Sequence, residues 1–207
     1  MTKVQVPEEE KKREWLSWIC DSQTPEELRD KYDTWANSYD RDVEKDWRFM
    51  PRNAALALQK VLPTKDAKIL DAGAGTGLLG EALAELGYTK VIAADLSQEM
   101  LAVAKKKQVY KELYQCNLED SQAFAKETFD AILATGVFAL AHAGVAVLHN
   151  LFGYLKPDGV LLMTIRGDYR NQMQEALDKL PWSLVSQDEF GIYETDTMYV
   201  LVFRKGR

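Results

Sequence analysis

The stretch that decides the fold is Ile69-Leu70-Asp71-Ala72-Gly73-Ala74-Gly75-Thr76-Gly77. An apolar, strand-like lead-in ends in an acidic residue and is followed by three glycines at alternate positions. Glycine lets the backbone turn sharply and lets a ligand approach where a Cβ would clash. A helical segment follows at residues 78–86, and the free N–H groups of its first turn point toward whatever is bound. The stretch therefore predicts a strand, a ligand-binding loop and a helix.

A second acidic residue, Asp95, ends the next strand-like segment, eighteen residues after Gly77. This spacing is typical of a carboxylate at the end of the neighbouring strand that accepts hydrogen bonds from ribose hydroxyls. Together, the glycine loop and this carboxylate predict a site for a nucleoside-containing cofactor.

Strands and helices alternate along the chain after Lys65. Strand-like segments lie at residues 68–71, 90–95, 111–116, 129–135 and 160–165, with helical segments between them at 78–86, 98–107, 121–126 and 142–155. This alternation predicts a parallel sheet covered by helices on both faces. A helix at 171–180 and two strands at 182–190 and 193–204 follow. We expect a Rossmann-like α/β fold with a mostly parallel, seven-stranded sheet whose last strand is antiparallel.

The first 62 residues read as helices. Thr24, Pro25 and Glu27 mark a helix start, and residues 28, 32, 35 and 39 carry apolar or aromatic side chains at helical spacing. Further helices are predicted at residues 8–20 and 51–62. We expect residues 1–62 to form a helical lid on the substrate side and residues 63–207 to form the cofactor-binding core, within one compact domain.

Composition limits the possible partners. The chain has 207 residues, 46% hydrophobic residues and a net charge of −6. The acidic balance argues against a nucleic-acid partner held by a strong overall field. Residues 1–20 lack the apolar core of a signal peptide, and no run of about 18 apolar residues could cross a membrane. We expect a cytoplasmic, or alternatively nuclear, protein; the oligomeric state stays open, and a monomer is compatible with the sequence.

The glycines also match a dinucleotide pattern, because Gly75, Gly77 and Gly80 fit G-x-G-x-x-G and Asp95 could hold the ribose of NAD. Two features weigh against that interpretation. Asp71 precedes the glycines and would repel a pyrophosphate, whereas it suits a ligand that presents an ammonium group. A terminal strand hairpin is also unusual for a nicotinamide domain. Both features favour S-adenosylmethionine, and an NAD-dependent oxidoreductase is kept as the alternative.

Five segments in order resemble the motifs of class I S-adenosylmethionine-dependent methyltransferases, at residues 69–77, 91–97, 116–118, 129–136 and 155–159. The similarity covers about residues 60–165, and the order and spacing together make it specific. Residues 32–40, Tyr-Asp-Thr-Trp-Ala-Asn-Ser-Tyr-Asp, also resemble the segment that leads into small-molecule methyltransferases of this class. The resemblance implies a Rossmann-like methyltransferase that uses S-adenosylmethionine and releases S-adenosylhomocysteine.

The resemblance assigns the methionine end of the cofactor to the glycine loop. It implies that Asp71 and the backbone at Gly73, Ala74 and Gly75 face the methionine part, and that Tyr39 helps to cover it.

The resemblance assigns the adenosine end of the cofactor to residues that follow the second and third predicted strands. By resemblance, Asp95 takes both ribose hydroxyls, and Leu96 and Met100 pack on the adenine face. Asn117 would read the exocyclic amine of adenine, and the N–H of Leu118 would meet a ring nitrogen.

The reacting end and the acceptor are less defined. By resemblance, Thr135 and Gly136 line the region near the sulfonium. His142 is the candidate general base, but a base is optional if the acceptor is a thiolate, a neutral amine or an enolised carbon. His142 and His149 alone do not make a metal site, so no metal is expected.

The fourth strand lacks one acceptor motif. It is followed by Thr-Gly-Val-Phe (135–138) and not by Asn/Asp-Pro-Pro-Tyr/Phe, which by resemblance disfavours nucleobase amino groups and glutamine side chains. A small molecule or an exposed protein side chain remains as the acceptor. A non-catalytic module that binds S-adenosylmethionine is the third alternative.

Overall fold

One seven-stranded sheet organises the chain. The computed structural model describes residues 15, 17–43, 49–138, 143–192 and 196–207. The strands are β1 (Lys68–Ala72), β2 (Lys90–Asp95), β3 (Glu112–Gln115), β4 (Phe129–Phe138), β5 (Leu155–Arg166), β6 (Trp182–Ile192) and β7 (Asp196–Lys205). Their order across the sheet is β3-β2-β1-β4-β5-β7-β6.

The strand directions confirm the expected arrangement. β1 pairs in parallel with β2 and β4, and the parallel pairing continues from β2 to β3 and from β4 to β5. β7 runs antiparallel to both of its neighbours, β5 and β6. Because parallel strands end at the same edge, the carboxyl ends of β1 to β5 meet on one side of the sheet.

Seven helices lie among the described residues: α1 (Pro25–Trp35), α2 (Tyr39–Val43), α3 (Phe49–Val61), α4 (Leu78–Glu85), α5 (Gln98–Lys106), α6 (Val145–Tyr154) and α7 (Gly167–Lys179). Residues 17–20 are also helical. The predicted start of α1 is confirmed, because the hydroxyl of Thr24 accepts the N–H of Glu27 at 3.1 Å. None of the helices in the described ranges is long and apolar enough to pass through a bilayer.

The helix predicted at residues 121–126 is wrong, because this segment forms turns. So short a segment gains little from helical hydrogen bonds. Instead, the ring of Phe124 packs edge-on against Phe129 and Tyr154, at centroid distances of 5.3 and 5.5 Å. The Tyr154 hydroxyl also donates to the carbonyl of Asp120 at 2.7 Å.

The helix expected to run through Tyr39 is interrupted after Trp35, so that Tyr39 begins a separate helix. Asp42 stabilises this corner, since its Oδ2 accepts hydrogen bonds from the indole of Trp35 at 3.0 Å and the hydroxyl of Ser38 at 2.6 Å. The bend turns α2 toward the glycine loop.

Helices cover both faces of the sheet. Alternate strand residues point to opposite faces. Ile69 of β1 packs with α3 and α4 on one face, whereas Leu70 packs with α6 and α7 on the other. Fully burying a side chain of this size contributes about 1.5–3 kcal/mol. α3, which precedes residue 62, therefore packs directly on the sheet.

A smaller cluster holds the first helices in place. Ile19, Leu28, Trp35 and Val43 are buried together, with Leu78 packed against them. Since Leu78 opens the helix after the glycine loop, this cluster fixes α1 and α2 above the carboxyl end of β1.

Candidate active site

A cavity lies at the carboxyl ends of β1, β2 and β4, beneath α1 and α2. Ten of the twelve residues expected to bind the cofactor line it: Tyr39, Gly73, Gly75, Asp95, Leu96, Met100, Asn117, Leu118, Thr135 and Gly136. Asp71 and Ala74 lie outside the lining. Six further residues complete the wall: Leu28, Tyr32, Cys116, Val137, Ala143 and Val147.

The glycine loop needs its glycines for two different reasons. Gly73 has φ +74°, and a Cβ there would lie 2.4 Å from a methyl carbon of Val137. Gly75 has φ +53°, and no heavy atom of the described residues lies within 4 Å of where its Cβ would be, so these residues leave open space beside it. The N–H groups of Gly73 and Ala74 both donate to the carbonyl of Ala94, which ties the loop to the end of β2.

Asp95 is fixed by the backbone around it. Its Oδ2 accepts the N–H of Gly75 at 2.7 Å, and its Oδ1 accepts the N–H of Ser97 at 2.9 Å. Burial raises the pKa of this carboxyl group, and the backbone hydrogen bonds work in the opposite direction. Each carboxylate oxygen can accept two hydrogen bonds, so the group retains capacity for two ligand hydroxyls.

Asp71 is buried behind the loop. Its Oδ2 accepts the hydroxyl of Tyr110 at 2.6 Å, and its Oδ1 has no hydrogen-bond partner among the described residues. Burial raises its pKa to about 7, a rise that Tyr110 opposes and the nearby charge of Asp95 reinforces. Ala74, likewise outside the cavity lining, packs with Ala93 and Leu101.

Tyr110 explains the third glycine of the dinucleotide-like pattern. A Cβ on Gly80 would lie 2.3 Å from the ring of Tyr110, and one on Gly77 would lie 3.0 Å from it. The Tyr110 hydroxyl accepts the N–H of Gly80 at 3.1 Å while it donates to Asp71. Gly77 and Gly80, the two glycines of this G-x-x-G segment, therefore leave room for the Tyr110 ring. Sequence reasoning missed Tyr110, because no local pattern marks it.

The wall on the adenine side is held by its neighbours. The side-chain carbonyl of Asn117 accepts the N–H of Glu119 at 2.9 Å, and Asn150 donates to the carbonyl of Leu118 at 3.0 Å. Burial, together with the charge of Asp95, raises the pKa of Cys116 to about 11, so that its thiol is neutral near pH 7.

Two tyrosines of the first helices close the cavity from above. Burial raises the pKa of Tyr39 to about 12 and that of Tyr32 well above its usual value, and the charge of Asp95 contributes to both shifts. The phenols are therefore neutral near pH 7 and face the Asp95 carboxylate.

Carboxylates on α1 and α2 attach these helices to the core. Asp33 accepts the hydroxyl of Ser97 at 2.5 Å and the N–H of Glu99 at 3.2 Å, at the N-terminus of α5, where negative charge is favourable. Asp40 accepts the hydroxyl of Thr76 and pairs with Lys107 at 2.8 Å. α1 is thus bound to α5, and α2 to the glycine loop.

The far wall is mostly apolar. Thr135, Gly136 and Val137 supply it, and the hydroxyl of Thr164 accepts the N–H of Gly136 at 2.8 Å. His142, the candidate base, lies outside the described residues. Within the described ranges, Asp95 is the one Asp or Glu in the lining, and no cluster of His, Cys, Asp or Glu side chains suits a metal ion.

Comparisons with known sequences find methyltransferases. Residues 70–163 match the family model described as a methyltransferase domain. Human methyltransferase-like protein 27 is 34% identical over 151 residues, which cover 71% of this chain. The match spans 61% of that relative's own length.

Solved structures share the fold. The [4+2]-cyclase SpnF aligns with a TM-score of 0.74 at 13% identity, covering 89% of this chain and 98% of that one. A TehB-like S-adenosylmethionine-dependent methyltransferase from Corynebacterium glutamicum aligns with a TM-score of 0.64 at 21% identity, covering 83% and 98%. Residues 70–163 are therefore similar in sequence to a methyltransferase domain, and the chain shares its fold with solved S-adenosylmethionine-dependent methyltransferases.

Proposed function

We propose that this protein transfers a methyl group from S-adenosylmethionine to a small molecule or to a protein side chain. The observation that carries the proposal is the position of Asp95, which lies in one cavity with the glycine loop, Leu96 and Met100. A carboxylate for ribose hydroxyls, apolar side chains for a flat base and an open glycine turn are therefore available to a single ligand.

The residues that line the cavity fit S-adenosylmethionine better than they fit a dinucleotide. Within the described lining there is no Lys or Arg to balance a pyrophosphate. The aromatic rings of Tyr32 and Tyr39 suit a positively charged sulfur, because the face of an aromatic ring attracts cations. Gly75 leaves room where a side chain would obstruct the ligand.

The cofactor supplies a methyl group on a positively charged sulfur. The chain's own residues hold the reactants in line and exclude water. Asp95 and the backbone near Asn117 fix the adenosine end, and α1 and α2 cover the cavity. The neutral thiol of Cys116 and the neutral phenols are poor bases near pH 7. We therefore propose an acceptor that reacts without a strong base from these residues, such as a thiolate, a neutral amine or an enol.

We also propose a role for the first helices, a class of acceptor, a location and an oligomeric state. The helices before residue 62 that carry Tyr32 and Tyr39 would act as a lid over the core. The net charge of −6 and the absence of a cationic lining among the described residues support an acceptor other than a nucleic acid. A cytoplasmic or nuclear location and a monomeric state remain proposals that fractionation and sedimentation would check.

Calorimetry with S-adenosylmethionine, S-adenosylhomocysteine and NAD tests the cofactor directly. We expect the first two to bind and NAD to fail. Asp95→Ala should weaken binding by about 2–4 kcal/mol, roughly 30- to 1,000-fold in Kd, because it removes a charged hydrogen-bond acceptor. Asp66→Ala, at an exposed carboxylate that pairs with Lys90 at 3.6 Å, is the matched control and should leave the Kd unchanged.

Activity requires a second measurement, since binding alone fits a non-catalytic module. Labelled S-adenosylmethionine is incubated with the protein and a fractionated cell extract, and labelled products are identified by mass spectrometry. Cofactor binding without any labelled product would favour the non-catalytic alternative, and binding of NAD alone would favour the oxidoreductase.

A further inference from the structure

A second cavity, distinct from the one that holds Asp95, opens at the carboxyl end of β5. This groove of about 500 Å³ is lined by Arg166, Gly167, Asp168, Arg170, Asn171, Gln174, Thr197 and Tyr199. Two guanidinium groups therefore face one carboxylate in its wall. A groove with excess positive charge is unusual in a chain whose net charge is −6.

The two arginines are held by their neighbours. Arg166 forms a forked pair with Asp168, with N–O distances of 3.3 and 3.1 Å. The guanidinium of Arg170 lies 4.5 Å from the ring centroid of Tyr199 on β7. A guanidinium that stacks on an aromatic ring keeps its N–H edge available, and that edge matches carboxylate or phosphate oxygens.

The start of α7 adds to this field. α7 begins at Gly167, and the Asp168 carboxylate that pairs with Arg166 also accepts the N–H of Tyr169 in the first turn, at 2.8 Å. The N–H groups of a helix N-terminus favour an anion. The arginines and the helix terminus present the same sign of charge to the groove, and Asp168 offsets part of it.

Two hydrogen bonds and one electrostatic interaction connect the strand and helix that carry the groove to the active-site cavity. The hydroxyl of Thr164 holds Gly136 in the cavity wall, and Arg166 follows on the same face of β5, about 6.6 Å farther along. The hydroxyl of Tyr169, in the first turn of α7, donates to the carbonyl of Ala143 at 2.6 Å. Both Gly136 and Ala143 line the cavity.

Cys20 supplies the electrostatic interaction, from the helical segment above. Burial raises its pKa, and the nearby charge of Arg166 lowers it, so the thiol lies close to the groove. Cys20 also acts on the pKa of Tyr32, which lines the cavity. Groove, cavity and lid thus meet around this residue.

We propose that the groove is the subsite for an anionic group of the methyl acceptor, a carboxylate or a phosphate, while the uncharged reacting part of the acceptor enters the cavity. The assignment as an acceptor subsite rests on the proposed methyltransferase function. Charge explains the division: among the described lining residues the cavity offers one carboxylate and no cationic side chain, whereas the groove offers two arginines. The acceptor is then an organic acid or a phosphate ester whose reacting group is uncharged, so that of the acceptors proposed above a neutral amine or an enol fits and a thiolate does not.

The first test needs no acceptor. Inorganic phosphate and acetate are titrated separately into the whole protein, and the Nε–Hε signals of its arginines are followed by NMR. We expect saturable shifts of the Arg166 and Arg170 signals in the wild-type protein, and we expect the Arg166 signal to lose its shift in Arg170→Gln. Arg207→Gln, which removes an exposed arginine paired with Asp158, is the control and should keep the shifts. Comparing the two anions shows whether the groove prefers a phosphate or a carboxylate.

Phosphate and acetate that leave both signals unmoved would overturn the proposal, and so would an Arg166 shift that persists unchanged in Arg170→Gln.

The second test uses the acceptor found by methyl labelling. We expect it to carry an acidic group, and Arg170→Gln to raise its KM by about tenfold or more, as expected for loss of a charge-assisted hydrogen bond. The kcat and the cofactor Kd should stay within twofold, and Arg170→Lys should restore part of the KM. An uncharged acceptor, or a loss confined to cofactor affinity, would refute the subsite. A protein that binds no cofactor refutes the proposed function instead, while the anion titration still decides the groove.

Discussion

The buried carboxyl group of Asp71 should make the stability of the fold depend on pH in an unusual direction. Burial raises its pKa to about 7 in the folded protein, against about 3.9 in an unfolded chain. Between these values the folded state binds a proton that the unfolded state has released. The stabilisation is therefore complete below about pH 4 and is lost as the pH rises through 7.

Asp71→Asn isolates this effect, because asparagine does not titrate and all other groups remain in both proteins. With the two pKa values above, linkage gives a stabilisation from Asp71 that falls by about 2.5 kcal/mol between pH 5 and pH 7.5. Urea denaturation at the two pH values measures the free energy of unfolding of wild type and variant. The wild-type value minus the Asp71→Asn value should fall by that amount.

The exposed Asp66 provides the control, and wild type minus Asp66→Asn should be nearly the same at both pH values. If the Asp71 difference changed by less than about 0.5 kcal/mol, or grew with pH, the carboxyl group would titrate normally. The account of a proton held behind the glycine loop would then be wrong.

Two further predictions concern the lid and the glycine loop. Asp33→Ala should remove the hydrogen bonds that Asp33 accepts at the N-terminus of α5, at a cost of about 1 kcal/mol, and should raise hydrogen exchange in residues 24–43 about fivefold. Asp30→Ala, at the exposed partner of Arg29, should leave this exchange unchanged, and equal exchange in both variants would contradict the attachment. Gly80→Ala should lower the free energy of unfolding in urea by about 1–3 kcal/mol, because its Cβ would meet the Tyr110 ring. Gly153→Ala in α6 is the control and should not, since no atom of the described residues lies within 4 Å of that Cβ. Similar costs at both sites would refute the clash.

Much of the sheet could be predicted because its signals are local. β2 begins and ends where the sequence predicts, and the carboxylate at its end, Asp95, lies in the cavity. Apolar strand residues, glycine turns and helix starts each depend on a few neighbouring residues. The resemblance to class I methyltransferases, which rests on such short segments, names ten of the twelve expected residues that line one cavity.

The rest depends on contacts between distant parts of the chain. Tyr110 lies 39 residues from the carboxylate it binds, and Asp33 lies 64 residues from Ser97. No window of sequence shows that such residues meet. For the same reason the sequence could not show that Asp71 is turned away from the cavity, nor that two arginines after β5 share a groove.

The position of β7 in the sheet also has a consequence for biosynthesis. Among the described strands β6 pairs with β7 alone, and β7 lies between β5 and β6 although it follows both in the sequence. A ribosome delivers β6 before the strand that attaches it to the sheet. Until about ten further residues emerge, β6 has no neighbour, and its apolar Leu184 and Val185 stay accessible to chaperones. Completion of the sheet is therefore a late event in the life of the nascent polypeptide.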